Sequence, residues 1–248
     1  MDNSNDKVYI HEFIDIVGPH RANYMQHITA NWSPIAQDER QQLCYGIWGV
    51  VGSTGTWPSV VNIWEEDGFD GMAASFRHEL SHPTLQDPKL AKWWHKAAGF
   101  RSGGRDRLLV PAPWTRTIEQ LCGDGVRGET YAHELFTTTP GNAHTLLARI
   151  AEDGGSLLSE FGWILAGAWE TAMVGDSEVI LLWAIPTWEH WAAAEKAERA
   201  DTKLARWRSS LYERTTSTHR ILLADAPLSP FRTGRQPHRD DRTEWAEL

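Results

Sequence analysis

The sequence predicts an α+β fold in which two βαββαβ units stand in tandem and close their sheets into one intrachain barrel. Two observations carry that expectation. The first is a duplication: Tyr9-Ile10-His11-Glu12-Phe13 is answered by Tyr131-Ala132-His133-Glu134-Leu135, and further matches follow in the same order. Gly46-Ile47-Trp48 answers Gly167-Ala168-Trp169, Val61-Asn62-Ile63-Trp64 answers Ile180-Leu181-Leu182-Trp183, and Lys89-Leu90-Ala91-Lys92-Trp93 answers Lys203-Leu204-Ala205-Arg206-Trp207. Arg107-Leu108-Leu109-Val110 then answers Arg220-Ile221-Leu222-Leu223. The offset falls from 122 to 113 along the series, so length differences sit between the matched pieces, where loops tolerate them. The second observation is the hydrophobic period, which switches between strand-like and helix-like spacing in the same order in each half.

Residues 8–16 set Val8, Ile10, Ile14 and Ile16 against Tyr9, His11, Phe13 and Asp15, a period of two that reads as a strand buried on both faces. Gly18-Pro19 ends it. From Pro19 to Ala30, Arg21, Tyr24, Met25 and Ile28 fall at helical spacing, with the proline in the first turn where its missing N–H is no loss. A strand over 43–51, the turn Gly52-Ser53-Thr54-Gly55 and a strand over 59–64 make a hairpin. Helices over 69–80 and 88–99, divided by His82-Pro83, lead to a short strand over 107–110 that Pro111-Ala112-Pro113 stops. The second unit repeats the order: strand 130–138, a helix from Pro140-Gly141 to Glu152, strand 161–173, a turn at Gly175-Asp176, strand 178–184, one helix from Trp188 to Tyr212 and strand 218–224.

This succession is the split βαβ, ferredoxin-like arrangement, a four-stranded antiparallel sheet with its helices on one face. The other face stays bare, and because these strands are apolar on both sides the two sheets are expected to pack face to face as a barrel. The expected boundaries are residues 7–113, a connector over 114–128, residues 129–227, and a polar tail over 228–248 that lies on the surface or is disordered.

Composition narrows the function classes. At 248 residues, 41% hydrophobic and 23% charged, the chain can bury two cores of about 100 residues each. A net charge of −9 repels nucleic acid and anionic membrane, so neither is expected as a partner. The N-terminus is polar and no run of about 18 apolar residues exists, which points to the cytoplasm. Cys44 and Cys122 are expected to be reduced thiols. Fourteen tryptophans are far more than two small cores require. The pairs Trp64/Trp183 and Trp93/Trp207 read as core pillars, whereas Trp32 and Trp94 lack a counterpart and read as walls for an apolar or aromatic ligand.

The segment Tyr131-Ala132-His133-Glu134-Leu135-Phe136-Thr137-Thr138-Thr139-Pro140-Gly141, an alternating strand running into Pro-Gly and a helix, resembles the opening of NIPSNAP-family domains. The hairpin strand Leu181-Leu182-Trp183, followed by a helix, is similar too. Both features belong to the dimeric α+β barrel superfamily. The resemblance implies a ligand cavity between sheet and helices in each half. It also implies the chemistry of relatives on this scaffold: cofactor-free monooxygenases, isomerases and lyases acting on small hydrophobic molecules, and haem enzymes of the chlorite-dismutase type.

His11-Glu12 and His133-Glu134 are the only adjacent acid–base pair present twice. Neighbours on a strand point to opposite faces, so one member of each pair is expected to face the helices and the other the partner sheet. A carboxyl buried there must be paired or carry a raised pKa, which is what general acid–base catalysis uses; repeated residues at a two-fold interface instead bond across it and fix strand register. His78-Glu79-Leu80-Ser81-His82 matches H-E-x-x-H, two imidazoles one helical turn apart with a glutamate to activate water. Pro83 disfavours helical geometry at His82, so no metal is expected and His78 with His82 stands as the alternative.

The halves differ where Asn62 faces Leu181, Glu65 faces Ala184, and Tyr24, His27, Asn31 and Trp32 face Leu146, Arg149 and their neighbours. Polar and aromatic groups therefore concentrate in the N-terminal half, where the site is expected. The candidate catalytic set is His11, Glu12, Tyr24, His27, Asn62 and His78; the candidate substrate-binding set is Trp32, Trp48, Trp64, Trp94 and His95. The expected activity is cofactor-free acid–base chemistry on a hydrophobic or aromatic small molecule, of isomerase, lyase or monooxygenase type. A haem oxidoreductase and a non-catalytic binding protein are the alternatives, and a homodimer is an open possibility.

Overall fold

The structure, a computed structural model, describes residues 5–242. Strand β1 (Val8–Ile16) leads to α1 (Arg21–Gln26), which passes through a π-helical turn (His27–Trp32) into α2 (Ser33–Arg40). The helix thus continues past the expected end at Ala30. Pro34 lacks the N–H that an unbroken α-helix would use, and the π-turn before it absorbs the mismatch. Gln41, left-handed at φ 55°, ends the run. The expected hairpin follows as β2 (Leu43–Val50) and β3 (Ser59–Glu66), then α3 (Gly68–Leu80) and α4 (Ala91–Phe100). β4 (Arg101–Pro111) is much longer than the segment 107–110, because its first half is exposed and polar and has no apolar alternation to announce it.

The connector holds α5 (Ile118–Gly123), started by Thr117 and Gln120 in a reciprocal capping box. The second half runs β5 (Thr130–Thr137), α6 (Ala143–Arg149), α7 (Gly155–Ser159) after another π-turn, β6 (Ile164–Thr171) and β7 (Glu178–Ile185). The expected single helix from Trp188 to Tyr212 is two, α8 (Trp188–Glu198) and α9 (Lys203–Tyr212), because the Thr202 hydroxyl caps the Ala205 N–H at 3.0 Å and starts a new helix. β8 (Ser217–Asp225) and α10 (Pro230–Thr233) complete the chain.

All eight strands form one closed antiparallel barrel in the order β1-β3-β2-β8-β5-β7-β6-β4. The α+β barrel is as expected, but its sheets do not simply face one another. They join edge to edge, β2 to β8 from Trp48↔Asp225 to Val50↔Leu223 and β4 to β6 from Leu109↔Thr171 to Pro111↔Trp169. Closure satisfies backbone groups that two stacked sheets would leave bare at four edges.

Register also corrects one equivalence. Glu12 lies opposite Asp106 on β4, whereas Glu134 lies opposite Arg220 on β8, so Arg220 matches Asp106 in space and not Arg107.

The barrel interior holds Tyr9, Tyr45, Trp48, Tyr131 and Trp169, with Ile118, Leu121 and Val126 of the connector packed against them. Phe231 joins this core at 1% exposure, so the segment after 227 is not a free polar tail over its described part. Residues 243–248 of that expected tail lie outside the described residues. Two further cores sit between sheet and helices, one per half. Among the described residues no helix is long and apolar enough to cross a membrane.

Candidate functional site

Alternation along β1 sends Tyr9, His11 and Phe13 into the barrel and Ile10, Glu12 and Ile14 toward the helices. On that helix-facing side of the N-terminal sheet lies a cavity of about 420 Å³. Trp32, Trp64, Trp93, Trp94 and Phe76 form the aromatic part of its wall, with Ile10, Ile28 and Met72 beside them. Glu12, Arg40, Glu79, Arg101, Asp106 and Arg107 bring charge to it.

Glu12 is the polar centre. Its Oε2 accepts from Asn62 Nδ2 at 2.9 Å and from Trp64 Nε1 at 2.8 Å. Asn62 Nδ2 also donates to the Tyr24 hydroxyl at 2.9 Å, while its own Oδ1, fully buried, has no partner among the described residues. Burial pushes the Glu12 carboxyl up against the lowering effect of the Asn62 and Trp64 bonds, and Asp106 adds to the rise. Asp106 is itself pushed up by burial, with Arg101 opposing. Burial likewise pushes the Tyr24 phenol up, so it stays neutral. Burial thus raises both carboxyls that line the cavity, Glu12 and the more exposed Asp106.

The rim is charged. Arg101 stacks over Trp94 at 5.1 Å, and Arg40 over Trp32 at 4.9 Å. Arg40 Nη1 donates to Glu79 Oε2 at 2.8 Å, leaving Nε and Nη2 without partners among the described residues.

The corresponding place in the C-terminal half holds a smaller cavity of about 310 Å³, lined by Glu134, Glu195, Glu198 and Arg220 and crossed by ion pairs. Glu134 accepts from Trp183 Nε1 at 2.9 Å, as Glu12 does from Trp64, but also from Arg208 Nη1 at 2.9 Å and Arg220 Nε at 2.7 Å. Arg220 continues to Glu195 and Glu198 at 2.8 and 3.0 Å. Burial alone would raise the Glu134 carboxyl; Arg208 and Arg220 outweigh it and hold it at about 2.

The structure thus brings together Glu12, Trp32, Trp64 and Trp94 in the cavity wall, with Tyr24 and Asn62 behind Glu12. The remaining candidates lie elsewhere. His11 meets His133 inside the barrel, Nε2 to Nε2 at 2.9 Å. Trp48 is barrel core, its ring 5.8 Å from Tyr131 and 5.6 Å from Phe231. His27 is satisfied on both nitrogens, Nε2 donating to the Trp93 carbonyl at 3.2 Å and Nδ1 accepting from Asn31 at 3.0 Å. His95 is exposed on α4, and His78 and His82 stand outside the cavity wall beside Asp87. Sequence reasoning missed Arg40, Glu79, Arg101 and Asp106. The last two lie on the unannounced half of β4, and only the strand register could have paired Asp106 with Glu12. A haem does not fit this cavity: no histidine lines it, and the alternative of a histidine-ligated haem finds no axial donor there.

No family model matches the chain, and no curated protein does. Solved structures do. An anthrone oxidase-like protein superposes with a TM-score of 0.61 at 12% identity, over 91% of this chain and 93% of the other. A provisionally assigned monooxygenase from Lactobacillus acidophilus superposes at 0.57 and 8% identity, over 95% and 97%. A NIPSNAP domain protein from Burkholderia xenovorans covers only 39% of this chain, against 94% of its own, at a TM-score of 0.34 and 17% identity. At these identities the first two show the fold alone: this chain shares an α+β barrel architecture with them over nearly its whole length.

Proposed function

We propose that this protein is an enzyme that takes a hydrophobic or aromatic small molecule into the N-terminal cavity and moves a proton on it with Glu12, without a bound cofactor. One observation supports this above all. Glu12 sits in the wall of an aromatic cavity with its pKa raised by burial and all its hydrogen bonds on Oε2, which leaves Oε1 for a substrate. Burial makes the Glu12 carboxylate a stronger base than a free one; it takes the substrate proton and, as the acid, returns it, while the N–H groups of Asn62 and Trp64 hold the charged form in place. Asp106, in the same cavity, is the second proton carrier. Abstraction of a proton from an acidic C–H or O–H is the first step that isomerases, lyases and cofactor-free monooxygenases share.

The same reading holds that the chain arose by duplication of a NIPSNAP-like ferredoxin unit and acts in the cytoplasm, as a monomer or homodimer. The matched bonds of Trp64 to Glu12 and Trp183 to Glu134 support the duplication. In the C-terminal half the matching glutamate is instead engaged by the Arg208 and Arg220 ion pairs.

Quenching of tryptophan fluorescence by a panel of small phenols and aromatic ketones would find a ligand, and turnover would then be compared between wild type and Glu12→Gln. Glu12→Gln should keep binding and lower kcat by about 10²–10⁴. An unchanged kcat removes Glu12 from the chemistry, and Trp94→Ala without effect on binding removes the cavity.

A further inference from the structure

We propose that Glu39, His78 and Asp87 form a zinc site on the outer surface of the cavity wall, with His82 beside it. This rests on geometry separate from the Glu12 cavity. His78 Nε2 lies 3.8 Å from Glu39 Oε2 and 3.7 Å from Asp87 Oδ2, and ligand atoms of these three residues all lie within 4.8 Å of one another. His82 Nε2 is 3.9 Å from Asp87 Oδ1. These separations are too long for hydrogen bonds. They are close to the edge of about 3.3–3.4 Å expected between ligands of a tetrahedral ion with bonds of about 2.0–2.1 Å, so small side-chain shifts complete the site.

Asp87 supplies an independent pointer. Its side chain is only 4% exposed; Oδ1 accepts the Lys89 N–H at 2.9 Å, while Oδ2 accepts no hydrogen bond and faces His78. Asp87 Oδ2 thus faces an imidazole with no hydrogen-bond donor on it among the described residues, and a cation would take that place. An imidazole nitrogen among the carboxylates selects zinc over magnesium or calcium, which take oxygen ligands.

The arrangement departs from the protease reading of H-E-x-x-H. α3 ends at Leu80, so His82 reaches Asp87 from the turn beyond the helix, and Glu79, which would be the water-activating base, is turned into the cavity wall by Arg40. The site is structural. It ties the end of α2, the end of α3 and the turn before α4 into one unit, and the neighbours in sequence of two of its ligands, Arg40 and Glu79, are the ion pair that lines the cavity.

The test uses the tag-free full-length chain stripped with a chelator. It should bind one Zn²⁺ per chain, and Co²⁺ in its place should give the visible absorption of a tetrahedral ion. His78→Ala and Asp87→Asn should each lower zinc affinity by about 100-fold or more, beyond what loss of an outer partner costs. His95→Ala and Glu79→Gln should leave it unchanged. Absence of the cobalt band in wild type, or zinc affinity that His78→Ala and Asp87→Asn leave intact, overturns the proposal.

Discussion

Glu12 and Glu134 hold matched places on matched strands, yet burial wins at one and arginine at the other. Two arginines make the difference: Arg208 from α9, and Arg220, which stands at the register position that Asp106 holds beside Glu12. Removing the Glu134 charge takes one of two carboxylate partners from Arg208, itself 2% exposed and still paired with Glu198, so Glu134→Gln should cost about 1–3 kcal/mol in urea unfolding. Glu12→Gln removes a carboxyl that burial already disfavours as an anion and should cost less than about 1 kcal/mol.

The His11–His133 pair gives a pH signature. Burial pushes both imidazoles down, with Arg107 contributing, and His133 falls to about 4 from its ordinary 6.5. The unfolded chain then binds protons that the folded chain refuses, so the pair's stabilisation is complete above about pH 6.5 and is lost as pH falls toward 4, at about 1.4 kcal/mol per pH unit per proton. Glu66 and Asp225, both pushed up to about 7 by burial, act in the opposite sense over an overlapping range. Subtracting the pH–stability curve of a His11→Gln/His133→Gln variant from that of wild type isolates the pair; a flat difference curve would show the imidazoles are not held neutral. Strand parity alone separated the histidines from the glutamates. Which charge would stand beside each glutamate depends on register, which a sequence with a polar β4 does not announce.

Among the elements, β2 and β6 share a device. Each bends at an irregularity in its pairing with β3 or β7, between Cys44 and Gly46 and between Leu165 and Gly167, and each folds a tryptophan ring back over the glycine. A methyl at Gly46 would sit inside the Trp48 ring, and one at Gly167 inside the Trp169 ring. Gly46→Ala and Gly167→Ala should therefore each destabilise by about 1–3 kcal/mol through overpacking, and Gly99→Ala, which meets nothing within 4 Å, should not. The matched Gly-x-Trp tripeptides were legible in the sequence; their meaning was not, since a bulge leaves no hydrophobic period. Elements with a clean apolar period, β1 to β3 and β5 to β8, lie close to where that period puts them. The polar half of β4, the π-turn ahead of Pro34 and the break between α8 and α9 are set by a neighbouring strand, a missing N–H and a hydroxyl cap, none of which alters the pattern of apolar residues.

The whole molecule depends on each half covering the other. Residues 7–113 alone would present Tyr9, Tyr45, Trp48, Val61 and Ile63 to water, a patch no soluble monomer sustains. That fragment should elute as a self-associated species in size-exclusion chromatography and be rescued by co-expression with residues 114–248. A stable monomeric fragment would show that barrel closure is dispensable. Phe231 seals the same interior from the far end of the chain, and Phe231→Ala should cost about 3–5 kcal/mol. The join between the halves is uneven in strength. β1 pairs β3 over eight residue positions, whereas β2 pairs β8 over three and β4 pairs β6 over three. Thermal breathing will run along those two short seams, parting the molecule like the halves of a hinged shell. Amide protons at Val50 and Val110 would then trade with solvent deuterium sooner than those of Ile14 or Ile63.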